Sequence, residues 1–163
     1  MNDLSEIIST VSDILHTRHM TLISAESCTG GLIASYLTSV PGSSEWFEGA
    51  FVTYRISAKV SMLGVKPSTL DRYTAVSEPV AKEMAEGALA HSQADISVSV
   101  TGVAGPGGGN VVTPVGTVWF GWAVRTPEIH CIQTSQHDLK GNRDAIRNLA
   151  VRIALEGVRT VLG

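Results

Sequence analysis

A three-layer α/β/α sandwich around a mixed, mostly parallel sheet is the fold class this sequence predicts, and three observations carry it. Stretches with apolar residues on a 3.6-residue period alternate with short apolar runs bounded by Gly, Pro and Ser, so helices and strands take turns along the chain. Such alternation builds a sheet covered by helices on both faces. Two strand-like runs near the C-terminal end are close neighbours in sequence, and such neighbours pair antiparallel, which makes the sheet mixed. With 163 residues the chain fits a single domain, 1–163, and a domain of this size buries roughly two-thirds of its unfolded surface without staples.

Between residues 3 and 17, Leu4, Ile7, Ile8, Val11, Ile14 and Leu15 fall on one helical face, with Asp3 and Glu6 placed as a capping box. Residues 20–24 read as a short buried strand. Ser27-Cys28-Thr29-Gly30-Gly31 then leads into a second helix ending near Val40, and Pro41-Gly42-Ser43-Ser44 is a turn. Residues 46–54 read as a strand and 57–63 as a short helix, with Ser57 as N-cap and Gly64 as stop. Ser77, Glu78 and Pro79 open a helix to about residue 92, because proline suits a first turn. Residues 96–100 form a central strand, broken by the most glycine-rich loop of the chain at 101–109. Residues 115–124 and 129–137 pair across 125–128, and 142–162 is a long closing helix. Nothing reads as a repeat or a linker.

The net charge of −3 gives no basic footprint for general nucleic-acid binding, while leaving room for a small anionic ligand. No apolar run approaches the ~20 residues of a membrane-spanning helix, and acids stand where a secretory leader carries bases. A cytoplasmic chain away from the membrane is expected, with Cys28 and Cys131 reduced. His91, His130 and His137 lack the spacing of a ligand cluster, so neither a metal nor a cofactor is expected.

Ligands of open α/β sheets gather at the carboxyl ends of strands, which here lead into the loops at 27–31 and 101–109. Glycines 102, 105, 107, 108 and 109 allow amide N–H groups to line an anion site, or simply serve a long connection. The spacing is neither that of a P-loop nor that of a dinucleotide fold. Ser27, Cys28 and Thr29 stand at a helix start, where they either face an anion or cap the helix. Lys59 falls in a first helical turn, where the macrodipole disfavours a cation. It reads either as a solvated lysine or as a partly buried neutral amine, the general base a nucleophilic serine needs. Ser44, in the tight turn, is a candidate for that serine, and Tyr54 could orient the amine or carry a proton. Arg143, at the start of the last helix, either faces an anion or pairs with an acid such as Asp144. Trp119 and Trp122 belong to the core or to an interface between two copies in a homodimer.

Seven motifs, taken in order, resemble the CinA C-terminal domain family, the nicotinamide-nucleotide amidohydrolases, over nearly the whole chain. They are Ala25-Glu26-Ser27-Cys28-Thr29-Gly30-Gly31, Pro41-Gly42-Ser43-Ser44, Phe51-Val52-Thr53-Tyr54 with Lys59, Ala75-Val76-Ser77-Glu78-Pro79, the glycine loop from Thr101, Pro114-Val115-Gly116-Thr117-Val118 and Gly141-Asn142-Arg143. The resemblance implies hydrolysis of the carboxamide of nicotinamide mononucleotide to nicotinic acid mononucleotide and ammonia, by serine and lysine, without metal or cofactor. By position it implies Ser44 as nucleophile and Lys59 as base, with Tyr54 and Ser27 aiding positioning and proton transfer. Thr29, Gly30, Thr101, Gly102, Gly105 and Arg143 would surround the small nucleotide. Active members resembling this chain commonly carry Ser-Asn after the tyrosine, where this chain has Arg55-Ile56. That departure leaves open an inactive or substrate-shifted paralogue that binds a pyridine nucleotide or acts as a regulator. Larger members add an N-terminal domain, and this chain reads as a stand-alone version.

Overall fold

A computed structural model describes residues 3–163, so the first two positions of the expected 1–163 unit lie outside the described residues. The elements are α1 (Ser5–Arg18), β1 (Leu22–Glu26), α2 (Leu32–Thr38), a 3-10 turn (Ser43–Glu45), β2 (Phe47–Val52), α3 (Ile56–Leu63), α4 (Pro67–Tyr73), α5 (Glu78–Ala90), β3 (Ile96–Gly102), β4 (Thr117–Arg125), β5 (Ile129–Asp138) and α6 (Arg143–Leu162). The sheet order is β2-β1-β3-β4-β5. β1 runs parallel to β2 and β3, while β4 is antiparallel to β3 and to β5, which makes the sheet mixed.

Strand residues alternate between two cores, as a pleated strand requires. Leu22, Val98, Phe120 and Trp122 pack with α1, α2 and α6 on one face, and Ile23, Ala25 and Ala123 pack with α3, α4 and α5 on the other. The α5 side is unusually close. Ser97 and Ser99 each donate a hydroxyl to an α5 carbonyl, Ala85 and Ala81, at 2.6 Å, and a Cβ on Gly121 would press on that same Ala81 oxygen. Small side chains on both surfaces let the helix lie almost on the sheet. Trp122 is 1% exposed and its indole donates to the Ala154 carbonyl at 3.0 Å, so its place is the interior and not a subunit interface.

Three local expectations need correction. The capping box at Asp3 and Glu6 does not form: Asp3 accepts from the Ser5 amide at 2.9 Å, and Leu4 occupies the N-cap without a side-chain bond. Ser57 lies inside α3, because Arg55, with extended backbone, serves as N-cap and its carbonyl accepts from the Ala58 and Lys59 amides. Helix α4 has no counterpart in the sequence reading. It is seven residues long and buries only Thr69 and Leu70, too few apolar positions to show a period, although Pro67 at its start is a helix-opening signal.

Candidate active site

The parallel register brings three strand ends to one level, for Glu26 pairs with both Val52 and Val100. The residues that come next, Ser27, Thr53 and Thr101, therefore gather at one edge of the sheet. β2 is joined to α3 by three residues, and Lys59, on the second turn of α3, sends its side chain back over those ends. Its Nζ lies 2.8 Å from Ser27 Oγ, 2.8 Å from the Thr53 carbonyl and 3.4 Å from the Tyr54 carbonyl. The side chain is 1% exposed and has no acid partner among the described residues. Burial therefore pulls its pKa down from 10.5 to about 8, against a smaller opposing effect from Cys28. Burial pushes the Cys28 thiol up to about 11, so it is neutral around pH 7.

The three neighbours of Nζ match a neutral amine. Two are carbonyls, which can only accept, and an amine has two N–H bonds for them. The third is the Ser27 hydroxyl, whose proton can point at the amine lone pair. If the proton passes to nitrogen, the ammonium donates to all three oxygens without any atom changing place.

The loop carrying Ser27 is held from both sides. The Ser27 amide donates to Val100, and its carbonyl accepts from Gly30, each at 3.0 Å. Wholly buried Glu26 accepts from the hydroxyls of Ser24 and Thr29 and from the amides of Gly31, Ile33 and Ala34, all at 2.8–3.1 Å. Arg147 of α6 donates to the carbonyls of Cys28 and Thr29 at 3.1 and 3.0 Å. One helical turn earlier, Arg143 donates to the Gly105 carbonyl at 2.7 Å and to the Tyr54 hydroxyl at 3.0 Å. Neither arginine has an acidic partner among the described residues; Arg143 lines the cavity, where its charge is available to an anion, while Arg147 is occupied with the loop carbonyls. The pairing of Arg143 with Asp144 is thereby set aside.

These groups surround a cavity of about 260 Å³ lined by Ser27, Cys28, Tyr54, Ile56, Lys59, Ala75, Val76, Thr101, Gly102, Ala104 and Arg143. The Thr101 hydroxyl donates to the Ala75 carbonyl at 2.9 Å, which ties the far wall together. A larger open groove between α5 and β5 carries a thiol and a hydroxyl, but the Cys131 thiol donates to the Gln133 carbonyl and the Thr134 hydroxyl to Glu78, while Glu83 and Glu86 already accept from neighbouring hydroxyls and amides.

Ser44 is not part of this arrangement, and its pairing with Lys59 is corrected. Ser44 is exposed in the 3-10 turn that precedes β2, whereas Lys59 lies beyond the other end of that strand. Six residues of strand, about 20 Å at ~3.3 Å each, separate the two ends. Thr29 is fully buried with its hydroxyl on Glu26, and Gly30 backs onto Arg147, so neither lines the cavity. Gly105 reaches the site only through its carbonyl on Arg143. Arg55 is exposed and off the cavity wall, while Ile56, 55% exposed, forms part of its mouth. Glu26 and Arg147 were not picked out by the sequence reading. Their signals were faint: an acid ending an otherwise apolar strand, and a second arginine four positions after Arg143.

Fold and site together define an α/β protein with a buried serine–lysine pair at the carboxyl ends of parallel strands. The model of the CinA C-terminal domain matches residues 4–162, and the chain belongs to that family. It is 46% identical over 155 residues to the nicotinamide-nucleotide amidohydrolase PncC of Escherichia coli (strain K12), covering 95% of this chain and 92% of that protein. A CinA superfamily protein from Klebsiella pneumoniae superposes with a TM-score of 0.92 at 35% identity, over 99% of this chain and 98% of the other. A competence/damage inducible protein from Agrobacterium tumefaciens gives 0.90 at 39% identity, over 99% and 96%.

Proposed function

We propose that this chain hydrolyses the carboxamide of nicotinamide mononucleotide, releasing ammonia and nicotinic acid mononucleotide, with Ser27 as nucleophile and Lys59 as general base. The observation that carries this reading is the 2.8 Å contact between Lys59 Nζ and Ser27 Oγ inside a buried, acid-free site. The likeness to PncC supplies the substrate. Neutral Lys59 takes the Ser27 proton as Oγ attacks the amide carbon, and the resulting ammonium hands that proton to the departing nitrogen. Ammonia leaves an acyl-enzyme, and water, deprotonated by the same amine, releases the acid. The amide N–H of Cys28, which lines the cavity and is next to the attacking oxygen in sequence, is assigned to the oxyanion. The phosphate goes to Arg143 at the cavity rim, beside the Tyr54 hydroxyl. No helix of the described residues is long and apolar enough to cross a membrane, which fits a cytoplasmic setting for this reaction.

Ammonia release from nicotinamide mononucleotide by wild type, Ser27→Ala, Lys59→Met and Ser44→Ala, with nucleotide binding measured alongside, tests the reading. Loss on the order of 10³-fold or more is expected in the first two variants, and a rate within about twofold of wild type in the third. Turnover that survives Ser27→Ala and disappears in Ser44→Ala would overturn it. Binding without ammonia release by wild type would favour the substrate-shifted paralogue, with Ile56 at the cavity mouth as the residue to exchange.

A further inference from the structure

We infer that Glu26 is a positioning residue for the reaction, setting the Ser27 hydroxyl against Lys59 from beneath; this rests on the assignment of Ser27 as nucleophile. Glu26 is the last residue of β1 and Ser27 the next, so whatever fixes the Glu26 side chain fixes the start of the nucleophile loop. The carboxylate is 0% exposed and accepts five hydrogen bonds, two on Oε2 and three on Oε1. Their sources span both ends of the loop: Ser24 lies before it, Thr29 and Gly31 lie within it, and Ile33 and Ala34 begin α2. One side chain thus closes residues 27–31 into a fixed ring around its own charge.

The same contacts remove an alternative. Three of the five bonds come from amides at the start of α2, the donors that an anionic ligand would otherwise use. With a carboxylate already seated there, the 27–31 loop presents no helix-terminal anion site. The substrate's negative charge is left to Arg143, across the cavity, and Glu26 influences the chemistry only through geometry.

Glu26→Gln is the informative variant, because it keeps the shape. Its amide oxygen can retain three donors and the Ser24 hydroxyl can turn to accept, but the amide NH₂ then faces the Ala34 N–H, donor against donor. The nucleophile loop loses one anchor while the cavity wall stays intact. Steady-state kinetics on nicotinamide mononucleotide should show kcat lower by roughly 10- to 100-fold with KM within about threefold of wild type, as for a misplaced nucleophile. The labelling rate of Ser27 by a fluorophosphonate, per folded molecule by circular dichroism, should fall in parallel. A variant that is merely less stable, with labelling and kcat per folded molecule unchanged, overturns the inference. If Glu26→Gln does not fold, Glu26→Asp, which keeps the charge but falls one methylene short, is read by the same two assays. A Ser27→Ala control that still turns over and still takes the label would defeat the nucleophile assignment instead.

Discussion

Replacing Lys59 by methionine gives a test that needs no substrate. In the unfolded chain the amine titrates at its ordinary 10.5, and in the folded protein at about 8, because burial disfavours the ammonium. Between those values the unfolded chain holds a proton that the folded one has given up, so stability rises with pH across that window. The slope is about 1.4 kcal/mol per pH unit, and the displacement amounts to about 3 kcal/mol in total. Methionine has a similar length and no proton to exchange, and every other titrating group is shared by the two proteins. The gap between their unfolding free energies, from urea denaturation at several values between pH 7 and 10.5, should therefore move by about 3 kcal/mol in favour of wild type as pH rises. The absolute sign of the gap at pH 7 also contains the lost hydrogen bonds to Thr53 and Ser27, so the slope is the diagnostic quantity. A gap that stays flat to within about 1 kcal/mol would show that Lys59 is solvated, and the case for a neutral amine would fall.

The pH dependence of turnover should follow the same group: kcat/KM rises about tenfold per pH unit on the acid side and levels near pH 8, measured by ammonia release. Arg143→Ala should raise KM for nicotinamide mononucleotide by roughly 10- to 100-fold while leaving turnover of the nucleoside, which has no phosphate, nearly as in wild type; equal losses on both would place the phosphate elsewhere. Gly157→Ala should destabilise the fold by about 1–3 kcal/mol in urea denaturation, because a Cβ there overlaps the Trp122 indole against which α6 rests.

Periodic apolar spacing made most elements readable, since α1, α5 and α6 each bury one face against the sheet. The weaker elements were the ones without a face: α4 has two buried residues, and the start of α3 depends on the backbone of Arg55 and not on a capping side chain. At the site, Tyr54, Thr101 and Arg143 were legible because each stands at or next to an element boundary, and Lys59 because it is a cation near a helix start, although that helix starts at Ile56, one residue before Ser57. The partner of Lys59 was not. Ser27 and Ser44 are both small hydroxyls in glycine-containing turns, and only the parallel pairing of β1 with β2 reveals that one sits at the lysine's end of the sheet and the other at the far end. Arg147 illustrates the same gap, since its two carbonyl partners lie more than a hundred residues away in sequence.

Placing both arginine ties on the first turns of α6 also has a consequence in time. Synthesis proceeds at roughly 5–20 residues per second, so Arg147 emerges roughly 4–18 s after Lys59. During that interval a nascent chain already carries the serine and the lysine, yet Cys28, Thr29, Gly105 and Tyr54 lack the guanidinium groups that hold them. Docking of α6 is then the last tie that the 27–31 loop receives, and it comes only when nearly all of this sequence has been made.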